Sequence, residues 1–173
     1  MNQKRIVSSD DHFIPEANVD TTRFLFKLGK ICPIFAFIVP TKTGLTKGLM
    51  DATAMVRFFL KSSGLHDYND QKQGPSDKVV IKSFFVHLNG LEETATSLYR
   101  PTTKKGDPRI WISKLSKYAN PKDLILLFSL KKNIYVVNLS KDELAQSLEL
   151  HGFVYNTILQ SKIEANQAKK RTA

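Results

Sequence analysis

Apolar residues occur in short runs along the chain, separated by polar or charged stretches. Residues 22–39 are rich in aromatic and β-branched side chains, which predicts strands. Residues 79–88 are mostly apolar and predict a strand that is buried on both sides. Asn89 and Gly90 then form a strong hairpin-turn signal, so residues 92–99 are predicted to be the returning strand.

A second hairpin is predicted in the last third of the chain. Residues 124–130 and 134–139 are two apolar runs joined by the polar residues 131–133. Residues 110–112 predict either a short strand or the start of a small helix. Together these runs predict six to eight short strands.

Helical patterns are fewer and shorter. Residues 51–63 place apolar side chains at spacings of three and four and end before Gly64, which predicts a helix. Ser140 and Glu143 form a capping-box pattern, which predicts a second helix over residues 141–150.

Two charged stretches that contain glycine, residues 40–48 and residues 100–109, are predicted to be loops. Strands therefore outnumber helices. The predicted fold class is mainly β (α+β), with the strands forming a partly open barrel.

Composition indicates a folded domain that is attracted to a polyanion. The 173 residues include 26 Lys and Arg against 16 Asp and Glu, a formal net charge of +10. A hydrophobic content of 42% excludes a disordered basic tail. The charge favours nucleic acid first and an anionic membrane surface second. A single cysteine, Cys32, excludes an intramolecular disulfide.

The chain is predicted to have three parts. Residues 1–21 lack an apolar period and form an N-terminal arm, residues 22–164 form a single domain, and residues 165–173 form a basic tail or linker. Residues 1–11 are too polar for a signal peptide. The most apolar stretch, residues 31–39, is too short to span a membrane, so a cytoplasmic protein is expected.

Hydrolytic chemistry would need clustered carboxylates around a divalent metal. The acidic pairs are Asp67 with Asp70, Glu92 with Glu93, and Asp142 with Glu143. Each pair has an explanation other than a metal site. The first pair lies in a polar loop, the second faces opposite sides of a strand, and the third lies in the first turn of a helix, where the dipole favours acids. No phosphate-binding loop precedes a helix, and no histidine has a partner at motif spacing. We therefore expect no catalytic residue, no metal site and no cofactor in this chain.

Residues 99–118 carry the strongest functional signal. Six basic residues and one acidic residue provide half of the net charge of the chain: Arg100, Lys104, Lys105, Arg109, Lys114, Lys117 and Asp107. A solvated charged surface is the alternative explanation. Asp107 favours base recognition, because a carboxylate weakens phosphate binding but can accept a hydrogen bond from cytosine N4. Arg109, followed by an apolar Ile-Trp-Ile sequence, could donate to guanine O6 and N7.

Residues 41–48, named here the threonine-lysine segment, have a matching character. Three threonines and two lysines can contact phosphates and base edges, and two glycines let backbone amides approach a phosphate closely. A plain surface turn is an equally good explanation of this segment alone. Together with residues 100–109, named here the basic loop, it favours contact with a duplex from both sides.

The order of these segments resembles a known family. Six segments occur in this order: the threonine-lysine segment, a short helix, a buried strand, the strand ending at Tyr99, the basic loop ending in Arg109-Ile-Trp and the strand that starts at Leu124. This order is similar to that of the N-terminal effector domains of type IIE CCWGG restriction endonucleases of the EcoRII and UbaLAI type. The resemblance covers roughly residues 30–160.

The resemblance implies a B3-like DNA-binding pseudobarrel of about seven strands with short helices, in which two arms enter the major groove and a monomer binds the site. It implies DNA contacts by Thr41, Lys42, Thr43 and Lys47 in the threonine-lysine segment, and by Arg100, Thr102, Thr103, Lys104, Lys105, Asp107 and Arg109 in the basic loop. Pro108 departs from the EcoRII pattern, which has a basic residue there. Catalysis, with Mg²⁺, would reside in a C-terminal nuclease domain of the parent protein.

The sequence therefore predicts a noncatalytic, sequence-specific domain for double-stranded DNA that recognises a CCWGG-like site. Two alternatives from other classes stay open. One is a stand-alone metal-dependent nuclease, which would need a carboxylate cluster. The other is a basic RNA-binding protein, which would need exposed aromatic side chains for base stacking.

Overall fold

The computed structural model describes residues 6–7, 13–14, 34–87, 90–141, 167 and 170–171. Seven strands form one curled sheet with the shape of a half-barrel. They are β3 (Phe35–Ile38), β4 (Met50–Asp51), β5 (Val79–His87), β6 (Gly90–Tyr99), β7 (Arg109–Ile112), β8 (Ile125–Leu130) and β9 (Asn133–Asn138). A separate antiparallel pair joins β1 (Ile6–Val7) to β2 (Phe13–Ile14). The predicted fold class, a mainly β pseudobarrel of about seven strands, is confirmed.

The strand order across the sheet is β3-β8-β9-β5-β6-β7-β4. Neighbouring strands are antiparallel except β5 and β9, which are parallel. The inward face of the sheet carries the core, which includes Ile81, Leu98, Ile110, Ile125 and Ile134. Side chains alternate along a strand, so the opposite face carries the remaining ones. That face is solvated at Leu91 and Trp111 but buried and apolar at Val86, Leu126 and Val137.

The first hairpin, β5 with β6, is confirmed, and its register runs from Val79 opposite Leu98 to His87 opposite Gly90. The expectation that this first strand is buried on both sides is wrong. Val80 and Lys82 are exposed, whereas Ile81 and Ser83 are buried. Over residues 79–83 the strand has one buried face and one solvated face, whereas Phe85 and Val86 near its end are both buried.

The second hairpin, β8 with β9, is also confirmed. Its turn places Lys131 and Lys132 at φ values of 49° and 66°. Two consecutive left-handed residues are the geometry of a type I′ turn, whose twist matches that of the two strands.

The prediction that the threonine-lysine segment is a loop is wrong. The segment contains helix α1 (Lys42–Lys47). The Thr41 hydroxyl oxygen accepts a hydrogen bond from the Gly44 N–H at 2.9 Å, which caps the helix N-terminus. Gly48 ends the helix with a left-handed φ of 66°. The threonine at the start and the glycine at the end are helix-boundary residues that local composition had suggested were loop residues.

The second helix, α2 (Ala54–Ser62), confirms the helix predicted over residues 51–63. Thr53 caps its N-terminus, and the apolar side chains of Val56, Phe59 and Leu60 are buried in the core. Of the two options for residues 110–112, the strand is confirmed, because they belong to β7, and the short helix α3 (Leu115–Tyr118) begins only after it.

Several predictions lie outside the described residues. They are the strands over residues 22–33, the first residue of the turn predicted at Asn89 and Gly90, the helix over residues 142–150, and most of the N-terminal arm and the basic tail. The described part of the chain has no helix that is long and apolar enough to cross a membrane.

Candidate nucleic-acid interface

Both segments predicted to contact DNA end at the same edge of the sheet. The edge strand β4 follows the threonine-lysine segment, and β7 begins at Arg109, the last residue of the basic loop. The two strands pair with Met50 opposite Ile110 and Asp51 opposite Arg109. The Ala52 N–H extends the pairing by donating to the Pro108 carbonyl at 2.9 Å. The sheet therefore holds the C-terminal ends of both segments beside one another.

Helix α1 presents a polar surface to solvent. Its exposed residues are Lys42, Thr43, Thr46 and Lys47, whereas Gly44 is buried and Leu45 half-buried. At about 100° of rotation per residue, the four exposed positions fall within an arc of about 140° on the helix. Two ammonium groups and two hydroxyls thus share one side of a short helix.

The C-terminal end of α1 packs directly on the outer face of the sheet. A Cβ on Gly48 would lie 2.7 Å from the Trp111 indole Nε1, so the indole occupies the space that any larger residue would need. Trp111 keeps 42% of its surface exposed beside this contact, and the Lys78 ammonium lies 5.2 Å from its ring centroid. The outer face near α1 therefore combines an aromatic ring with a cation.

The Arg100 side chain holds the basic loop from the inside. Its Nε donates to the Gly106 carbonyl at 2.9 Å, and its NH1 donates to the Gln71 carbonyl at 3.2 Å and the Tyr68 carbonyl at 3.5 Å. Arg100 is half-buried by these contacts. The structure thus places Arg100 as a support of the loop rather than on its outer surface.

The outer part of the loop carries exposed polar side chains: Thr102, Thr103, Lys105 and Asp107. Lys104 opens a 3₁₀ turn that ends at Gly106, in which Lys105 has a left-handed φ of 55°. Gly106 is buried against the Gln73 side chain, with no space for a Cβ. The turn therefore has a defined shape and points its threonines, Lys105 and Asp107 toward solvent.

Arg109, predicted to bind guanine, lies in the wall of the sheet edge. Its guanidinium forms an ion pair with Asp51, and its side chain is only 15% exposed whereas that of Asp51 is 75% exposed. The Tyr68 hydroxyl donates to the Arg109 carbonyl at 2.8 Å. Burial raises the pKa of Tyr68 far above its ordinary value, so the phenol stays a hydrogen-bond donor.

A cavity of about 390 Å³ lies between α1, β3 and the β4–β7 edge. The structure brings Thr41, Thr43 and Arg109 together in its lining, with Asp51. Lys42, Lys47 and the outer part of the basic loop lie elsewhere. The predicted site residues thus divide into a cavity group and an exposed group.

Three further residues, for which the sequence pattern gives no indication, shape the predicted site: Asp51, Gln71 and Gln73. Gln71 is buried and its amide donates to the Asp77 carbonyl at 2.7 Å and the Leu98 carbonyl at 2.9 Å. The sequence contains no local signal for these contacts, because Asp51 pairs with Arg109, Gln73 donates to the Lys105 carbonyl and Gln71 donates to the Leu98 carbonyl, all distant in the chain.

The two lysines that follow the basic loop have an acidic neighbour. Lys114 and Lys117 lie 3.6 Å and 3.5 Å from the carboxylate of Glu92, which also accepts a hydrogen bond from the Tyr118 hydroxyl. Glu93 instead pairs with Lys82. The two glutamates therefore face opposite sides of their strand, as the sequence predicts. Part of the positive charge of residues 99–118 is therefore balanced within the fold.

Among the described residues, no group of three or more His, Cys, Asp or Glu side chains could hold a metal ion. No protein-family model, curated protein or solved structure matches this chain.

Proposed function

We propose that this chain is a sequence-specific domain for double-stranded DNA that acts without catalysis of its own. The observation that carries the proposal is the common attachment of α1 and the basic loop to the β4–β7 edge, with hydroxyl and cationic side chains exposed on both. Two such surfaces on a rigid sheet can contact a duplex at two places in one orientation.

Within this proposal, α1 contacts DNA through its exposed arc. The major groove is wide enough for an α-helix. Lys42 and Lys47 would neutralise phosphates, and Thr43 would contact a phosphate or a base edge. Thr46, which shares the arc, would add a further contact.

The basic loop would supply the second set of contacts. Thr102, Thr103, Lys104 and Lys105 would bind the backbone, and Asp107 would accept from cytosine N4 in the groove. Arg100 and Thr41 would also act indirectly, since both make hydrogen bonds that hold their own segments in shape. Their direct contact with DNA stays a prediction.

The resemblance to effector domains of EcoRII-type endonucleases completes the proposal. It supports a CCWGG-like target, a monomeric domain, and a cytoplasmic parent protein whose C-terminal nuclease domain uses Mg²⁺. The domain would then bind a second copy of the site and stimulate cleavage elsewhere. The confirmed pseudobarrel fold class is compatible with that assignment.

A binding-site selection on random duplexes tests the proposal. We expect one enriched sequence, and a binding constant for it that falls linearly in a log–log plot against salt concentration. Equal binding of all duplexes would contradict sequence recognition. Tighter binding of duplex RNA in direct competition would favour the RNA-binding alternative, and cleavage of plasmid by the purified chain with Mg²⁺ would favour the nuclease.

A further inference from the structure

The cavity beside α1 has the size and lining of a small-molecule site. Its volume of about 390 Å³ falls within the range of about 300–1,000 Å³ that is typical of ligand pockets. Apolar side chains form much of its wall, among them Phe37, Leu49, Met50 and Met55. A flat, weakly polar ring would bury its faces against these groups, and methionine sulfur packs well on aromatic rings.

Hydroxyl groups add hydrogen-bond donors to this wall. The Thr41 oxygen accepts from the Gly44 N–H at 2.9 Å, and the Thr53 oxygen accepts from the Val56 N–H at 3.4 Å. Each of these hydroxyls can still donate its own hydrogen to a ligand. Thr43 also lines the cavity. A ligand that fits must therefore offer acceptors.

Asp51 and Arg109 form the charged part of the lining. The pair places a carboxylate, which only accepts, directly beside a guanidinium, which only donates. A complementary ligand needs adjacent donors along one edge and adjacent acceptors along the next. We propose that this cavity binds a guanine base through Asp51 and Arg109.

Guanine satisfies this pattern better than the other bases. Its N1–H and N2–H are neighbouring donors for the two oxygens of Asp51, and its O6 and N7 are neighbouring acceptors for the guanidinium of Arg109. In guanine the acceptor pair adjoins the donor pair, because O6 lies next to N1. This matches the adjacent positions of Arg109 and Asp51 in the cavity wall. Adenine and thymine have donors and acceptors that alternate, and cytosine has neighbouring acceptors at N3 and O2 but only one donor group, so none engages both charged groups through two hydrogen bonds each.

The guanine could belong to a free nucleoside or nucleotide, or to a nucleotide extruded from DNA. The chemistry of recognition is the same in both cases. The proposal does not depend on the duplex-binding surface of α1 and the basic loop, because an uncharged nucleoside needs neither phosphate contacts nor a groove. Failure of the duplex selection would therefore not contradict the guanine site. Failure of guanosine binding would likewise not contradict the duplex-binding proposal.

Titration of the full chain with uncharged nucleosides, followed by NMR or calorimetry, tests the site. Nucleosides avoid nonspecific attraction of phosphates to a chain of charge +10. We expect guanosine to bind about tenfold or more tightly than inosine, which lacks the N2 amine, because one hydrogen bond to a charged group is lost. We expect 7-deazaguanosine, which lacks the N7 acceptor, and adenosine to bind more weakly as well.

The variant Asp51→Asn removes the second acceptor and should abolish the preference of guanosine over inosine. Asp70→Asn is the matched control, since Asp70 is exposed, does not line the cavity and lies outside α1 and the basic loop. That variant should keep the preference. A denaturation curve on each variant verifies folding, and the wild-type comparison of guanosine with inosine decides the question even if Asp51→Asn unfolds.

Absence of saturable guanosine binding in the millimolar range, or equal affinity for guanosine and inosine, would overturn the proposal. A duplex that carries an abasic position opposite one guanine shows whether the bound guanine comes from DNA or from a free compound. The missing partner base lowers the cost of extruding that guanine. Tighter binding of this duplex than of the intact one, lost in Asp51→Asn, assigns the site to DNA. Equal binding of both duplexes, with guanosine bound, assigns it to free guanine compounds.

Discussion

The α-carbon of Gly48 lies against the indole of Trp111, so closely that a Cβ on Gly48 would lie 2.7 Å from the indole Nε1. Gly48 also has a left-handed φ of 66°, which other residues adopt at an energetic cost. Two independent reasons therefore favour glycine at the end of α1. Through this contact the position of α1 depends on the outer face of β7.

The substitution Gly48→Ala should lower the free energy of unfolding by about 2–4 kcal/mol, because left-handed strain and a steric clash with the indole add. Gly64→Ala is the matched control. Gly64 has φ 63°, but its Cβ would meet only the Lys132 ammonium, the far end of a flexible side chain, which donates to the Gly64 carbonyl at 2.7 Å and can shift. We expect Gly64→Ala to cost about 1–2 kcal/mol, mainly from strain. Equal losses in urea denaturation would show that the indole yields to the new methyl group.

Replacement of Arg100 by lysine should loosen the basic loop. A lysine cannot reproduce the fork that donates to the carbonyls of Gly106 and Gln71, so buried acceptors lose partners. We expect a stability loss of about 1–3 kcal/mol and faster tryptic cleavage after Lys104 or Lys105. Arg57→Lys is the control, because Arg57 is exposed and donates to the Ala52 carbonyl and to none of the carbonyls that Arg100 holds. Unchanged cleavage in Arg100→Lys would contradict the supporting role.

The double substitution Lys42→Ala with Lys47→Ala should weaken binding to a selected duplex and make it less sensitive to salt. Each lost phosphate contact reduces the slope of log binding constant against log salt by about 0.9. Alanine keeps the helix propensity of α1. Lys61→Ala, in α2 and paired with Asp67, is the control for a change in charge alone. An equal reduction of slope per lysine in the control would remove α1 from the interface.

His66 should make the folded chain less stable in mild acid. Burial lowers the pKa of His66 in the folded state, against smaller opposing effects of Gln71, Asp67 and Asp70. The unfolded chain then binds protons at higher pH than the folded one. The contribution of His66 to stability is therefore complete above about pH 6.5 and declines as the pH falls below this value.

Urea denaturation of the wild type and of His66→Gln, at about pH 5.5 and about pH 7.5, measures this effect on either side of the ordinary histidine pKa. The wild type should lose more stability than the variant between the two conditions. Glutamine retains a polar group near Gln71, whose side chain lies 3.2 Å from the His66 Nε2. The same loss in both proteins would mean that other groups cause the acid sensitivity.

The pattern of apolar and polar residues within short stretches was sufficient to predict the two hairpins and α2. Apolar runs joined by short polar turns predicted β5 with β6 and β8 with β9, because strand pairing across a tight turn depends on neighbouring residues. The apolar spacing over residues 51–63 predicted α2 for the same reason. The two-sided burial of β5 was wrong, since burial depends on what covers each face.

The threonine-lysine segment shows where local pattern failed. Glycines and threonines suggested a loop, yet Thr41 and Gly48 cap a helix whose interior also contains Gly44. A Cβ at Gly44 would lie 3.1 Å from the side chains of Met50 and Thr41, so close packing rather than flexibility explains this glycine. Composition alone could not separate the two explanations.

The sequence by itself determined a basic, mainly β domain with two cationic segments, because charge and strand periodicity are properties of neighbouring residues. Only the tertiary structure decided that Arg109 pairs with Asp51, that Arg100 supports its own loop from within, and that Trp111 contacts Gly48. Asp51 and Arg109 are far apart in the chain, as are Gly48 and Trp111. The curled sheet brings them together through the pairing of β4 with β7, and that pairing has no local signal in the sequence.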